Sequence, residues 1–218
     1  CALPISITVA RVDDYIKAVS LGKKELEGKD PKQIARRSGA IYVEGTDGKA
    51  SFSIHFLNKE IDISWPELDF SYSVDGKEVP IQQQVLLLHY LNLVEDVEIS
   101  GEWIAYQEVP DGKFYLDAFI RRAKNPMVQG FGDNPELMVE LTTEVYGATP
   151  MEQGDLAVRI QALPLIPVAL ILWKGDDEFS PEGTILFDRT VSQILSAEDI
   201  AWLAGMIIYP LLGMAAGK

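Results

Sequence analysis

His89 lies in VLLLHYL (85–91), where helical spacing surrounds it with apolar side chains. An imidazole in that setting can bind a metal or stand as the axial ligand of a heme or corrinoid, since imidazole is the commonest nitrogen ligand. The plainer reading is a core histidine hydrogen-bonded to a neighbour. The other histidine, His55, falls on the Ser51 and Ser53 side of an alternating strand and reads as a surface residue.

A different chemistry is offered by WKGDDEFSPEGTILFD (173–188), which holds Asp176, Asp177, Glu178, Glu182 and Asp188. Mg²⁺ and Ca²⁺ take oxygen ligands, and Asp176, Glu178 and Asp188 are the candidate ligands for a divalent cation. The spacing does not follow an EF-hand loop, and adjacent Asp176 and Asp177 point to opposite sides of an extended chain. The competing reading is a solvated turn between two buried strands.

The third stretch is GEWIAYQEVPDGKFY (101–115). Trp103, Tyr106, Phe114 and Tyr115 offer aromatic surface to a planar ligand, or equally to a core. Glu102 and Glu108, six apart on a strand, would be separated by about 20 Å, too far for either glycosidase geometry. No GxSxG supports a serine nucleophile, and no GxGxxG or GxxxxGK[ST] follows a strand, so neither a Rossmann nor a P-loop nucleotide site is indicated.

The elements that must position these residues follow from periodicity and punctuation. After a β-like start, ISITVA, residues 11–27 read as helix. In DPKQIARRSG, Asp30 caps a short helix, Pro31 takes its first position and Gly39 ends it. The period then becomes two: AIYVEG, SFSIHFL, IDISW and DFSYSVDGKEV form an antiparallel meander with turn signals at Asp47-Gly48 and Asp75-Gly76. Pro80 opens the helix that carries His89. GEWIAYQEV reads as strand, FYLDAFIRRAKNPMV as helix up to Asn125, because Pro126 disfavours continuation, and 135–146 as helix capped by Asn134. DLAVRIQALP, PVALILW and TILFD form a second β segment, its nearly all-apolar member central. SAEDIAWLAGMII starts a last helix, with Ser196 as N-cap and Asp199 at the third helical position.

The chain has 218 residues and a formal net charge of −14, which repels nucleic acid and anionic membranes. The single cysteine, Cys1, excludes an internal disulfide and a self-contained iron–sulfur cluster. It reads as incidental rather than lipid-bearing, and a reduced cytoplasmic setting fits. Ile200 to Gly217 carries no charge. Its small residues and Pro210 favour a buried or dimer-forming helix over a membrane tail.

Taken in order, DPKQIARRSGA, VLLLHYL, SGEWIAYQEVPDGKFYLDAF, FGDNPE, GDLAVRIQALPLIPVALILWKGDDEFSPEGTILFD and LSAEDIAWLAG resemble the domain-of-unknown-function family 3786, from about Asp30 to about Leu203. The resemblance implies a setting in the anaerobic, corrinoid- and metal-rich metabolism of bacteria and archaea. Some relatives carry an attached cysteine-rich iron–sulfur segment, whose cysteines this chain does not have.

These readings converge on a single α+β domain: an antiparallel meander plus a second β segment, packed with several helices. Residues 1–29 form an N-terminal extension, 30–203 the family-like region and 204–218 an apolar tail. The leading functional expectation is an accessory protein that binds a small molecule or a flat cofactor, a heme or corrinoid, for a metalloenzyme partner. Its site would be His89 with Trp103, Tyr106, Phe114 and Tyr115. The alternatives are a cation-dependent hydrolase using the turn at 176–188, and an assembly protein or homo-oligomer that docks through the C-terminal helix.

Overall fold

Charge sorting marks the first helix, α1 (Val12–Leu26): Asp13 and Asp14 occupy its first turn and Lys23 and Lys24 its last, as the helix dipole favours. The computed structural model describes residues 12–45 and 49–217; Cys1, the strand expected at 5–10 and the Asp47-Gly48 turn tip lie outside them. Helix α2 (Pro31–Ser38) starts where expected, with the Asp30 side chain accepting the Lys32 N–H and Gly39 in the left-handed region at its end.

The meander folds as an antiparallel sheet in the order β1 (Ile41–Glu44), β2 (Ala50–Phe56), β3 (Lys59–Trp65), β4 (Phe70–Tyr72). Phe52, Ile54 and Phe56 of β2, with Ile61 and Ile63 of β3, form its buried face. The β2–β3 turn is made by Leu57 and Asn58, and Leu57 takes a left-handed φ of 56°. That backbone costs about 1–2 kcal/mol for a residue with a Cβ. It is held because Leu57 is buried and its N–H donates to the Ala162 carbonyl at 2.8 Å. Ala162 lies where the strand register of the second sheet shifts, so the hairpin tip joins the two sheets.

Helix α3 (Ile81–Leu93) carries His89 and buries Leu86, Leu87, Leu88 and Tyr90. α1 lies against it, with Gly22 at the contact: a Cβ there would come within 2.9 Å of the Leu88 Cβ.

The second sheet runs β5 (Trp103–Ala105), β9 (Glu182–Asp188), β8 (Ile166–Trp173), β7 (Leu156–Leu163), β6 (Thr149–Met151), all neighbours antiparallel. β8 is central and buried along its length except at Trp173, as its unbroken apolar run requires.

Two expectations need correction. The strand over 101–109 is only three residues long, because Tyr106–Glu108 closes into a short 3₁₀ turn in which the Glu108 carboxylate accepts the Ala105 N–H at 2.7 Å. Glu102 and Glu108 therefore do not share a strand. The helix from Gly112 also passes Pro126. α4 (Gly112–Phe119) continues through a widened π turn at Ile120–Lys124 into α5 (Asn125–Phe131). The Asn125 N–H bonds five residues back, to the Ile120 carbonyl, and this looser turn accommodates the proline, which has no N–H to place.

Helix α6 (Pro135–Tyr146) is capped by Asn134. Helix α7 (Ala197–Ala215) packs on α4, the π turn, α5 and α6. It is the one helix among the described residues long and apolar enough to cross a membrane, and 56% of that stretch is buried inside the protein. Pro210 lies within it, on the exposed side, where a missing backbone bond is least costly. The boundary expected at 203/204 falls in the middle of α7. One hydrophobic cluster runs from Leu26 through both sheets to Leu211, and the whole is a single α+β domain.

Candidate functional site

His89 does not stand alone on α3. Its Nδ1 lies 2.9 Å from Oδ1 of Asp199 in the first turn of α7. The Ser196 hydroxyl lies 2.7 Å from the other carboxylate oxygen of Asp199 and accepts the Asp199 N–H at 3.2 Å, closing the N-cap. A helix cap and a histidine 110 residues away in sequence thus form one chain of hydrogen bonds. Among the described residues Nε2 has no hydrogen-bond partner, and the histidine side chain is 38% exposed against 12% for Asp199. The bond to Asp199 holds the imidazole above its ordinary pKa; burial opposes this, and the charges of Asp199, Glu25 and Glu198 add to it.

An aromatic pair lies where α1 meets α7. Trp202, three residues after Asp199 and so on the same side of α7, meets Tyr15 of α1 edge-on, with ring centroids 5.9 Å apart. The Tyr15–Trp202 contact, the His89–Asp199 bond and the Tyr106–Ala197 bond place α1, α3 and the 3₁₀ turn around the first turns of α7.

The aromatic group at 101–115 is dispersed. Tyr106 is buried, stacked on Phe119 at 4.1 Å between centroids, and donates its hydroxyl to the Ala197 carbonyl at 2.8 Å. Burial raises its pKa. Trp103 is half-buried on β5, on the side opposite Ile104, which enters the core. Phe114 is 85% exposed on α4 and Tyr115 38%. Of this group, Tyr106 reaches the start of α7 through its bond to Ala197. Gly112 allows the 3₁₀ turn to fold against α4, because a Cβ there would overlap the Tyr106 carbonyl.

The acidic residues also part company. Asp188 ends β9, at the opposite end of the strand from the acidic loop. Its carboxylate is 1% exposed and accepts from Ser100 N–H, Ser100 Oγ–H, Gly101 N–H and Thr190 N–H at 2.7–3.1 Å. Burial pushes its pKa up, but the bonds from Thr190 and Ser100 outweigh that and hold it below the usual carboxylate value. Asp176 accepts the N–H groups of Glu178 and Phe179, each at 2.8 Å, which lowers its pKa. This is a turn-forming role for the side chain. With Glu178, Asp176 borders an open depression of about 580 Å³ whose walls include Asp133, Glu136 and Lys174; Lys174 pairs with Glu136. Among the described residues no three His, Cys, Asp or Glu side chains are placed to hold one metal ion. His55 bonds Glu60 across the β2–β3 pair at 2.9 Å.

Sequence reasoning placed Ser196 and Asp199 correctly on a helix cap but missed their link to His89. It also missed Tyr15 and Trp202. A signal was present in SAED, since an acid at the third helical position next to a Ser cap must aim its carboxylate somewhere. The partner on α3 is set by tertiary packing.

The fold and this site define a small α+β domain with a carboxylate-held histidine at a half-exposed junction of helices. The chain belongs to the family described as Domain of unknown function (DUF3786), whose model matches residues 30–209. No curated protein matches the chain, and no solved structure does. The match includes His89, Ser196, Asp199 and Trp202 and extends beyond Leu203 into α7, whereas Tyr15 and Glu25 lie before it.

Proposed function

We propose that the chain is a cytoplasmic accessory protein that binds a small flat cofactor, a corrinoid or a heme, for a metalloenzyme partner of anaerobic metabolism. The observation that carries this reading is the His89–Asp199–Ser196 arrangement. Histidines that ligate metals almost always give their other ring N–H to a carboxylate or carbonyl, which fixes the ring and raises its basicity. His89 meets that condition at Nδ1, and its side chain is part-exposed. Such a donor fits one axial bond, because among the described residues no second and third ligand converge on it. The Tyr15–Trp202 pair, whose Trp202 follows Asp199 by three residues on α7, offers aromatic surface for a planar ring. A bound corrinoid or heme would supply a metal with a further open coordination position. The chain's own part is to bind the ring, orient it through Nε2 and shield one face. The test is anaerobic titration of the protein with a corrinoid and with ferric heme. A changed visible spectrum and retention on desalting are expected, and unchanged spectra with no retention reject the reading.

The depression at the acidic loop favours a second reading, a cation-dependent hydrolase in which Asp176 and Glu178 contact a divalent ion directly or through water. Calorimetry with Mg²⁺, Mn²⁺ and Ca²⁺ tests it. Under this reading heat is released on titration and lost in Asp176→Asn and Glu178→Gln, whereas equal titrations of parent and variants remove it.

A further inference from the structure

We propose that Asp199 and Ser196 are positioning residues that hold His89 with its proton on Nδ1 and its lone pair on Nε2, available as a nitrogen donor. The use of that donor rests on the reading above; its existence does not. The direction of each hydrogen bond follows from what each group can give. Ser196 Oγ accepts the Asp199 N–H, so its own proton is available to Asp199 Oδ2, 2.7 Å away. An ionised carboxylate only accepts. The 2.9 Å contact between Asp199 Oδ1 and His89 Nδ1 therefore requires Nδ1 to carry a proton. In the neutral ring the remaining nitrogen, Nε2, is then the acceptor.

The same chain dictates what an amide would do. In Asp199→Asn the Ser196 hydroxyl still needs an oxygen to donate to, so the amide oxygen turns toward Ser196 and the NH₂ toward His89. An NH₂ cannot accept. His89 Nδ1 then becomes the acceptor and the proton moves to Nε2, which removes the lone pair there without removing the imidazole. Ser196→Ala leaves the carboxylate in place and does not reverse the ring. Loss of stability in the two variants tests only the link between α3 and α7, whereas the ring tautomer reports the direction of the His89–Asp199 bond.

The experiment is long-range ¹H–¹⁵N NMR of the histidine rings in the full chain, at a pH where His89 is neutral, with His55→Gln used to assign the two rings. The parent is expected to show a pyrrole-type Nδ1 and a pyridine-type Nε2. Asp199→Asn should exchange the two signal types, and Ser196→Ala should keep the parent pattern. A parent with its proton on Nε2 overturns the proposal. So does a folded Asp199→Asn with the parent pattern, or a reversal in Ser196→Ala. The parent and Ser196→Ala spectra decide the matter if Asp199→Asn does not fold. A parent with the expected tautomer that retains neither corrinoid nor heme sinks the cofactor reading and leaves this inference standing.

Discussion

Asp188 is a carboxylate at 1% exposure held by donors from Ser100, Gly101 and Thr190. Those bonds tie the loop before β5 to the end of β9. Its lowered pKa has a definite sign in stability. The folded value lies below the unfolded value of about 3.9, so the contribution is complete above that pH and is lost as pH falls through the folded value. Asp188→Asn keeps the shape, removes the charge and costs about 2 kcal/mol at neutral pH. Urea melts of parent and variant at pH 7 and pH 3 check this: the gap between them narrows in acid, and a constant gap contradicts the assignment. At the same scale His89 shows what a single sequence reveals and what it hides. Both its apolar surroundings and a hydrogen-bonded neighbour were legible. Which neighbour was not, because Asp199 reaches it only once α3 and α7 have packed together.

The element that decides whether the fold exists is α7. Ala204, Ile207, Ile208 and Leu211 are fully buried, and each large apolar side chain contributes about 1.5–3 kcal/mol when buried. Three such side chains rival the entire stability of a domain, about 5–15 kcal/mol. A chain ending at Leu203 is therefore expected to lose its cooperative thermal transition in circular dichroism, and a retained sharp melt would show that the end of α7 is dispensable. The limits of sequence reading are clearest among the other elements. Strands with alternating apolar residues and helices with caps were legible, because those signals are local. The β2–β3 turn carries no Asn-Gly or Asp-Gly. Its geometry is set by Leu57 docking on Ala162, a contact with another sheet. The passage of the helix through Pro126 depends on the π turn before it, which no residue type announces.

At the scale of the whole molecule, two sheets and their helices share one hydrophobic cluster in a chain of formal net charge −14. Where α1, α3 and α7 come together, Tyr15 of α1 meets Trp202 of α7, and this acidic body holds a histidine backed by Asp199. The most direct measurement of its role is an anaerobic spectral titration with a corrinoid that lacks its own nucleotide base, comparing the parent with His89→Ala. Coordination by a protein imidazole shifts the visible bands in the parent and leaves those of the variant at the positions of the unbound corrinoid. Identical spectra for the two proteins would contradict the account.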